Sequence, residues 1–327
     1  MKVCIYGAGA IGGFIGTRLA AHGQAVSVIA RGANAQALRT HGWRLQGADG
    51  LVTAPAHVAD DAATLGEQDL VVVAVKAHSL SGVARGIAPL LGPDTVVLTA
   101  MNGVPWWFFD GFGGVHAGMQ LDAVDADRSI AHGIPAQHVV GAVVHATCSV
   151  PEPGLVRHGS GRKLILGEPR GGLTARLETV ATLLRDAGFE AVLSNCIQKD
   201  IWFKLWGNMT LNPISALTGA TGDRILDDPL VRAFILRAMA EAKEIGACIG
   251  CPITQSGEDR HAVTRQLGAF KTSMLQDVEA GRAIELDALV SVVREIGRKV
   301  GVPTPEIDTL LGLTRLMAQT RGLHSPA

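Results

Sequence analysis

One short segment, Ile201-Trp202-Phe203-Lys204-Leu205-Trp206-Gly207-Asn208-Met209-Thr210-Leu211-Asn212-Pro213, sets an amine and two amides at helical spacing. Lys204, Asn208 and Asn212 stand at i, i+4 and i+8, so a helix would stack them on one face. Trp202, Phe203, Leu205 and Trp206 surround that stripe with apolar bulk. An ammonium in such surroundings has its charged form disfavoured, which lowers its pKa toward the range of a useful proton donor. The two amides beside it offer donors and acceptors to a hydroxylated ligand. The plain alternative is an amphipathic helix with a solvated polar stripe, and this segment alone does not separate the two.

A second polar cluster runs from Thr272 to Asp287. Within it Glu285 starts a new helix after a break at Gly281, followed by the apolar residues Leu286, Leu289, Val290 and Val293. A carboxylate at a helix start is favoured by the dipole, and it could pair with Lys204. Taken alone it reads equally as an ordinary first-turn acid.

The N-terminus carries a third pattern. Residues 2 to 6 read as a buried strand, Gly7-Ala8-Gly9-Ala10-Ile11-Gly12 follows, and a helical pattern then runs to about His22, before a strand from Ala25 to Ala30. This is G-x-G-x-x-G inside a strand-helix-strand unit, where the glycines permit a tight turn, close approach to a pyrophosphate and close helix packing. The helix N-terminus adds backbone N–H groups and a positive dipole end for the phosphates. At the end of the second strand, where an NAD enzyme places Asp or Glu, stands Arg31, and no Asp or Glu occurs before Asp49. An arginine suits a 2′-phosphate, so the pattern points to NADPH. Asp69 to Lys76 and Thr95 to Ala100 are near-continuous apolar runs of the kind parallel strands show. They end in Lys76 and in Asn102-Gly103, at strand ends where open α/β sheets bind ligands.

These elements, with a helix from Ser79 to Leu91, strand-like segments at Val139–Thr147 and Lys163–Gly167, a helix from Leu173 to Ala187 and a strand from Glu190 to Ser194, predict an α/β Rossmann-type domain with a parallel sheet over residues 1–195. Long helical patterns follow at about 197–217, 228–248, 255–280, 285–300 and 305–319, so residues 196–327 are expected to form an all-α domain holding the substrate and the catalytic groups. The 327 residues suit two domains. A net charge of −1 demotes nucleic acid and acidic lipid as partners, and no apolar run approaches the roughly 20 residues of a membrane helix. The five cysteines are odd in number and scattered, which argues against a disulfide framework and for a reducing cytoplasm. Cys248 and Cys251 form a C-x-x-C without a second pair or a nearby His, so no metal is expected. Lys2 and the apolar run to Leu19 mimic a signal peptide, but the glycine spacing makes the nucleotide turn the better reading.

Taken in order, GAGAIGG, VAVKAHS, MNGV, GLVRHGSG with LILGE, KLWGNMTLNPISALTG and SMLQDVEAGRAIELDAL cover nearly the whole chain and resemble the ketopantoate reductase (2-dehydropantoate 2-reductase) family. The last two stretches are the more specific, since neither is a general feature of nucleotide folds. The resemblance implies that Lys204 is the catalytic lysine, that Asn208 and Asn212 contact pantoyl hydroxyls, and that Ser273 contacts the substrate carboxylate. It places Glu285 beside substrate and cofactor ribose, and Asn102 near the nicotinamide and the substrate. Gly7, Ala8, Gly9, Ala10, Ile11, Gly12, Arg31, Lys76 and Ala146 are then NADPH-binding residues. The implied reaction reduces 2-dehydropantoate to (R)-pantoate in pantothenate synthesis, in a cleft between the domains that excludes water.

The chain also departs from the family pattern. After Asn102-Gly103 it carries Val104-Pro105-Trp106-Trp107-Phe108-Phe109 and a long loop to about His138. Trp106 and Trp107 would either wall the substrate site and favour a bulkier 2-oxo acid, or pack the loop onto the sheet. Two rival classes stand beside the reductase reading. The β-hydroxyacid dehydrogenases share the glycine motif and a Lys-x-x-x-Asn helix but not the second Asn-Pro or the Ser273–Asp287 stretch. A non-catalytic NADPH-binding sensor would predict decay of Lys204, Asn208, Asn212, Ser273 and Glu285, all of which are intact. His145 and His158 are weaker candidates for catalytic groups. Apolar helix faces in the second half permit a homodimer.

Overall fold

The computed structural model describes residues 1–324. The chain divides into two compact units, the first formed by residues 1–102, 106–112 and 127–200 and the second by residues 103–105, 113–126 and 201–327. The strands are β1 (Lys2–Tyr6), β2 (Ala25–Ile29), β3 (Trp43–Gly47), β4 (Gly50–Ala54), β5 (His57–Ala59), β6 (Gln68–Val73), β7 (Leu91–Ala100), β8 (Val139–Glu152), β9 (Leu155–Gly167) and β10 (Glu190–Ser194). The helices are α1 (Ala10–Ala21), α2 (Gly32–His41), α3 (Leu80–Gly86), α4 (Asp122–Asp125), α5 (Ser129–Gly133), α6 (Ala175–Asp186), α7 (Ile197–Thr218), α8 (Gly222–Asp227), α9 (Pro229–Cys248), α10 (Gly257–Arg265), α11 (Ser273–Glu279), α12 (Val292–Val300) and α13 (Pro305–Thr320).

All ten strands belong to one sheet of the first unit, ordered β4-β3-β9-β8-β7-β6-β1-β2-β5, with β10 also paired to β9. The run β5-β2-β1-β6-β7-β8 is parallel throughout. That follows from the sequence, because Val3–Ile5 and Leu70–Val73 are apolar on both faces and are fully buried. The sheet is mixed rather than purely parallel, since β8 and β9, and β3 and β4, pair antiparallel. β8 and β9 also extend well past the apolar segments that announce them. Their outer halves carry Thr147, Ser149, Arg157 and Ser160, whose polar character hides the strand, and Gly154 turns between them at φ +70.

Helix α1 lies on the sheet at close range. A Cβ on Gly13 would come 2.5 Å from Val156, and one on Gly16 would come 2.6 Å from the Trp43 ring. The glycines of α1 are therefore a packing requirement as well as a turn requirement. The segment after β7 resolves the two readings of its aromatics. Trp107 is 2 % exposed, Phe108 and Phe109 are buried edge to face, and the Trp107 ring fills the space above Gly141. Trp106 is half-buried and its indole N–H donates to the Ile134 carbonyl at 3.1 Å. These side chains pack their segment into the first unit.

The second unit is helical. Trp202 and Trp206 of α7 are buried, and their indole N–H groups donate to the carbonyls of Ala242 (3.2 Å) and Met239 (2.7 Å) on α9. Each ring thus contributes roughly 1.5–3 kcal/mol or more of burial without leaving a donor unsatisfied. Gly246 accepts this contact because a Cβ there would sit 2.3 Å from the Trp202 nitrogen. α9 starts at Pro229 behind Asp228, whose carboxylate accepts the N–H groups of Leu230 and Val231.

The helix expected over 255–280 is two helices. α10 opens on a Ser256/Asp259 capping box, the chain then turns at Gly268 (φ +65), and α11 begins behind the Thr272 cap. The helix expected from Glu285 begins one residue later and contains a π-helical stretch, Asp287–Ser291, before α12. Two buried or half-buried acids cap neighbouring chain starts: Glu295 accepts from the N–H groups of Asp122 and Ala123, and Glu241 from those of Glu306 and Ile307. Among the described residues no helix is long and apolar enough to cross a membrane, no group of three His, Cys, Asp or Glu is placed to hold a metal, and the five cysteines are unbridged.

A contrast between two glycines checks the packing of α1. A Cβ on Gly12 would lie 1.9 Å from the Gly7 carbonyl, whereas one on Gly9 would meet nothing within 4 Å. Gly12→Ala should lower stability by about 1–3 kcal/mol or more, a drop of several degrees in Tm, while Gly9→Ala should leave Tm unchanged in thermal unfolding. Equal Tm values for both variants would contradict the packing.

Candidate active site

In the first unit, the parallel strands deliver the expected nucleotide residues to one edge of the sheet. Gly7 follows β1, Arg31 follows β2, Lys76 follows β6 and Asn102 follows β7, all at carboxyl ends. Ala146 lies in β8, four residues past Ala142, which pairs with the last residue of β7. Gly7 adopts φ +107 and its N–H donates to the Ile29 carbonyl. A side chain there would collide with Val75 at 2.6 Å, so the turn needs glycine.

The turn ends at Gly9, which caps α1 without any side-chain hydrogen bond, and the first turn of α1 holds no acid. Open space stands where a Cβ of Gly9 would project. A bare helix N-terminus facing open space is what a pyrophosphate requires. At the neighbouring strand end, Arg31 is exposed and directly precedes α2, which again has no acid in its first turn. The acids that follow β5 are engaged elsewhere: Asp60 binds Arg39 at 2.6 Å, and Asp61 accepts from the Ala63 N–H. Arg31 makes no ion pair among the described residues, so its guanidinium is available to a phosphate. Its charge is felt at Tyr6, where burial raises the phenol pKa and Arg31 opposes that rise.

The second unit holds the residues that the sequence offers for proton transfer. Lys204, Asn208 and Asn212 lie along α7 on one face. Lys204 keeps some solvent contact, yet protein surrounds its ammonium closely enough for burial to lower the pKa from 10.5 to about 8, against the opposing charge of Glu285. Glu285 is 7 % exposed and directly precedes the helix that carries the π-helical stretch. Such stretches widen a helix and recur at functional sites. The Lys204–Glu285 pairing foreseen from charge alone is thus present as an electrostatic interaction.

Asn208 is half-buried and Asn212 is 5 % exposed, and neither side-chain amide has a hydrogen-bond partner among the described residues. Neither amide is among the sealed, unpartnered polar atoms of the described residues, so both reach solvent and are open to a ligand. Pro213 lacks an N–H, which leaves the Met209 carbonyl without its usual i+4 donor within α7. Ser273 is exposed as the first residue of α11.

Other residues find structural partners. The His158 ring stacks on Phe14 with centroids 4.6 Å apart and donates to the Gly161 carbonyl, which accounts for it without catalysis. One charged neighbour of α7 has no signature in the sequence: Arg260 of α10 places its guanidinium 5.2 Å from the centroid of the Phe203 ring. The residue before a histidine in a polar helix gives no sign of this, because the contact depends on how α10 packs against α7.

The chain is similar to known proteins along nearly its whole length. The profile described as Ketopantoate reductase PanE/ApbA matches residues 3–171, and that described as Ketopantoate reductase PanE/ApbA C terminal matches residues 196–318. A 2-dehydropantoate 2-reductase of Mesorhizobium japonicum is 45 % identical over 326 residues, covering 99 % of this chain and all of that protein. Among solved structures, a ketopantoate reductase homologue from Ralstonia solanacearum MolK2 is 62 % identical with a TM-score of 0.95, covering 99 % of each chain. The 2-dehydropantoate 2-reductase of Geobacter metallireducens GS-15 is 25 % identical with a TM-score of 0.85, covering 97 % of this chain and all of that one. With both profiles matched in order and a full-length relative at this identity, the chain belongs to the ketopantoate reductase family.

Proposed function

We propose that the protein catalyses 2-dehydropantoate + NADPH + H⁺ → (R)-pantoate + NADP⁺, with Lys204 as the general acid. The observation that carries this reading is the desolvated Lys204 ammonium opposite Glu285, in line with two uncommitted amides. The family membership and the 45 % identical 2-dehydropantoate 2-reductase support the choice of substrate. NADPH would be held by the Gly7, Ala8, Gly9, Ala10, Ile11 and Gly12 turn at its pyrophosphate and by Arg31 at its 2′-phosphate, with Lys76, Asn102 and Ala146 completing the cofactor edge. When bound, the dihydronicotinamide supplies the hydride.

Lys204 does the proton work. As the ketone carbon becomes tetrahedral, negative charge gathers on its oxygen, and the Nζ ammonium first stabilises that charge and then releases a proton to it. Solvent contact at Lys204 lets the amine recover a proton for the next turnover. Glu285 opposes the desolvation that would otherwise discharge the ammonium, so it keeps Lys204 cationic at neutral pH. Asn208 and Asn212 fix the hydroxyls of the substrate, Asn102 orients it toward the cofactor, and Ser273 donates to its carboxylate.

A bulkier 2-oxo acid is the lesser reading, because Trp107, Phe108 and Phe109 are consumed by packing and leave only Trp106 partly open. A homodimer is compatible with the exposed Leu313 and Leu316 of α13, and a reducing cytoplasm with five unbridged thiols.

Three experiments test the assignment. Lys204→Ala should cut kcat by about 10² or more, the scale of a positioned general acid; a near-normal kcat with only KM altered would reject the role. For the wild type, kcat for reduction should hold below pH 8 and fall above it as the ammonium, with its pKa near 8, discharges. Glu285→Gln should move that fall to lower pH, and an unmoved profile would contradict the coupling. For the cofactor, Arg31→Ala should raise KM for NADPH far more than for NADH, and equal changes would overturn the 2′-phosphate assignment.

A further inference from the structure

We propose that His324 is a positioning residue for Glu285, an inference that rests on the reading of Lys204 as the general acid. The chain reaches this place through the end of α13, which closes in a Schellman turn. Gly322 takes φ +66 and its N–H donates to the Gln319 carbonyl at 3.0 Å, while the Leu323 N–H reaches back to the Ala318 carbonyl at 2.7 Å. The turn needs the left-handed conformation that glycine supplies, and it sends the chain back so that Leu323 is buried. The Leu323 carbonyl then accepts the Ile284 N–H at 3.0 Å, and the His324 ring donates from Nε2 to Asp287 Oδ2 at 2.8 Å. These two contacts fall one residue before Glu285 and two residues after it.

Glu285 lies in a stretch with little regular structure of its own. Residues 282–285 are in neither helix nor strand, and the helix that follows opens on the π-helical stretch Asp287–Ser291. A π turn is rare, and this one is held by partners outside its own helix. The Ala288 carbonyl accepts the Val104 N–H at 3.0 Å, and the Asp287 carboxylate divides between the Ser291 hydroxyl inside the turn, at 2.8 Å, and His324 outside it. The His324 side chain is 8 % exposed, and its second ring nitrogen, Nδ1, is sealed without a partner. An unsatisfied buried nitrogen is a cost that a phenyl ring of similar size would avoid. What the histidine supplies in its place is the one N–H directed at Asp287.

The consequence falls on Lys204. Glu285 acts on that ammonium through charge, so its effect depends on how closely and how steadily the carboxylate is held. A carboxylate free to swing away would leave the ammonium to desolvation alone. Clamping the chain on both sides of Glu285, at Ile284 by Leu323 and at Asp287 by His324, restricts that swing.

The test titrates the Lys204 amine through its ¹⁵Nζ resonance in the whole chain, for the wild type, His324→Ala, His324→Phe and His324→Gln, each also combined with Glu285→Gln. Phenylalanine fills the space of the ring without a donor, and glutamine returns an N–H at similar reach. The Lys204 pKa should fall by about 0.5 pH unit or more in the alanine and phenylalanine variants, part of the roughly 1–3 pH units that a close opposite charge confers. It should return to the wild-type value in His324→Gln. With Glu285→Gln already present, the alanine and phenylalanine substitutions should move it no further. The alkaline fall of kcat for reduction should shift to lower pH in the same two variants. A Lys204 pKa unmoved in both, a change that persists without the Glu285 charge, or a glutamine variant no closer to wild type than phenylalanine overturns the positioning role. Should the alanine variant fail to fold, the phenylalanine and glutamine pair decides between these outcomes. If Lys204 responds as expected in a protein that does not reduce 2-dehydropantoate, the reductase reading falls and the clamp stands; if the keto acid is reduced while Lys204 ignores His324, the clamp alone falls.

Discussion

A lysine amine pressed into protein and still required to carry charge sets the terms for the helical unit. Burial lowers the Lys204 pKa to about 8, and the buried Glu285 works against that fall. Because the folded pKa lies below the ordinary value of 10.5, protonated Lys204 opposes folding at neutral pH, and the opposition is relieved only as pH rises from about 8 toward 10.5. The unit must supply the compensating stability elsewhere. It does so directly behind the lysine, where Trp202 and Trp206 are buried against α9 with both indole donors satisfied. The helix that carries the ammonium is thus anchored on the face opposite to it.

In the proposed reading the first unit has the opposite task, since it attracts charge rather than suppresses it. Its means are a turn that only glycine can make at Gly7, a helix start left bare at Gly9 and an arginine at Arg31 whose neighbouring acids are occupied by Arg39 and by a backbone cap. The net charge of −1 hides this, because the first 48 residues contain no carboxylate at all. Glycine reaches 40 of 327 residues, about 12 % against a usual ~7 %. Part of that excess is explained by the close contacts of Gly7, Gly12, Gly13 and Gly16 around α1.

What was legible in the sequence is what depends on local pattern. The parallel strands announce themselves as apolar runs, α7 as a stripe at i, i+4 and i+8, and the turn into α1 as spaced glycines. The features that escaped depend on tertiary pairing. The outer halves of β8 and β9 are polar and are strands only because they pair with each other, and the β3–β4 hairpin is too short to show a period. The break between α10 and α11 was marked by Gly268 and the Thr272 cap, weak signals inside a continuous helical pattern. Trp107 was ambiguous between site wall and core until the space above Gly141 showed where its ring lies. Arg260 was invisible for the same reason, since its contacts are with Phe203 and Gly207 on another helix.

The central claim is that Lys204 is a desolvated cation held charged by Glu285. It is tested most directly by titrating the Lys204 side-chain amine itself, through the ¹⁵Nζ and ¹³Cε resonances of the labelled protein, in the wild type and in Glu285→Gln. The account predicts a pKa near 8 in the wild type, far from 10.5, and a lower one when the carboxylate is neutralised. A lysine that titrates near 10.5, or one that is indifferent to Glu285, would contradict it.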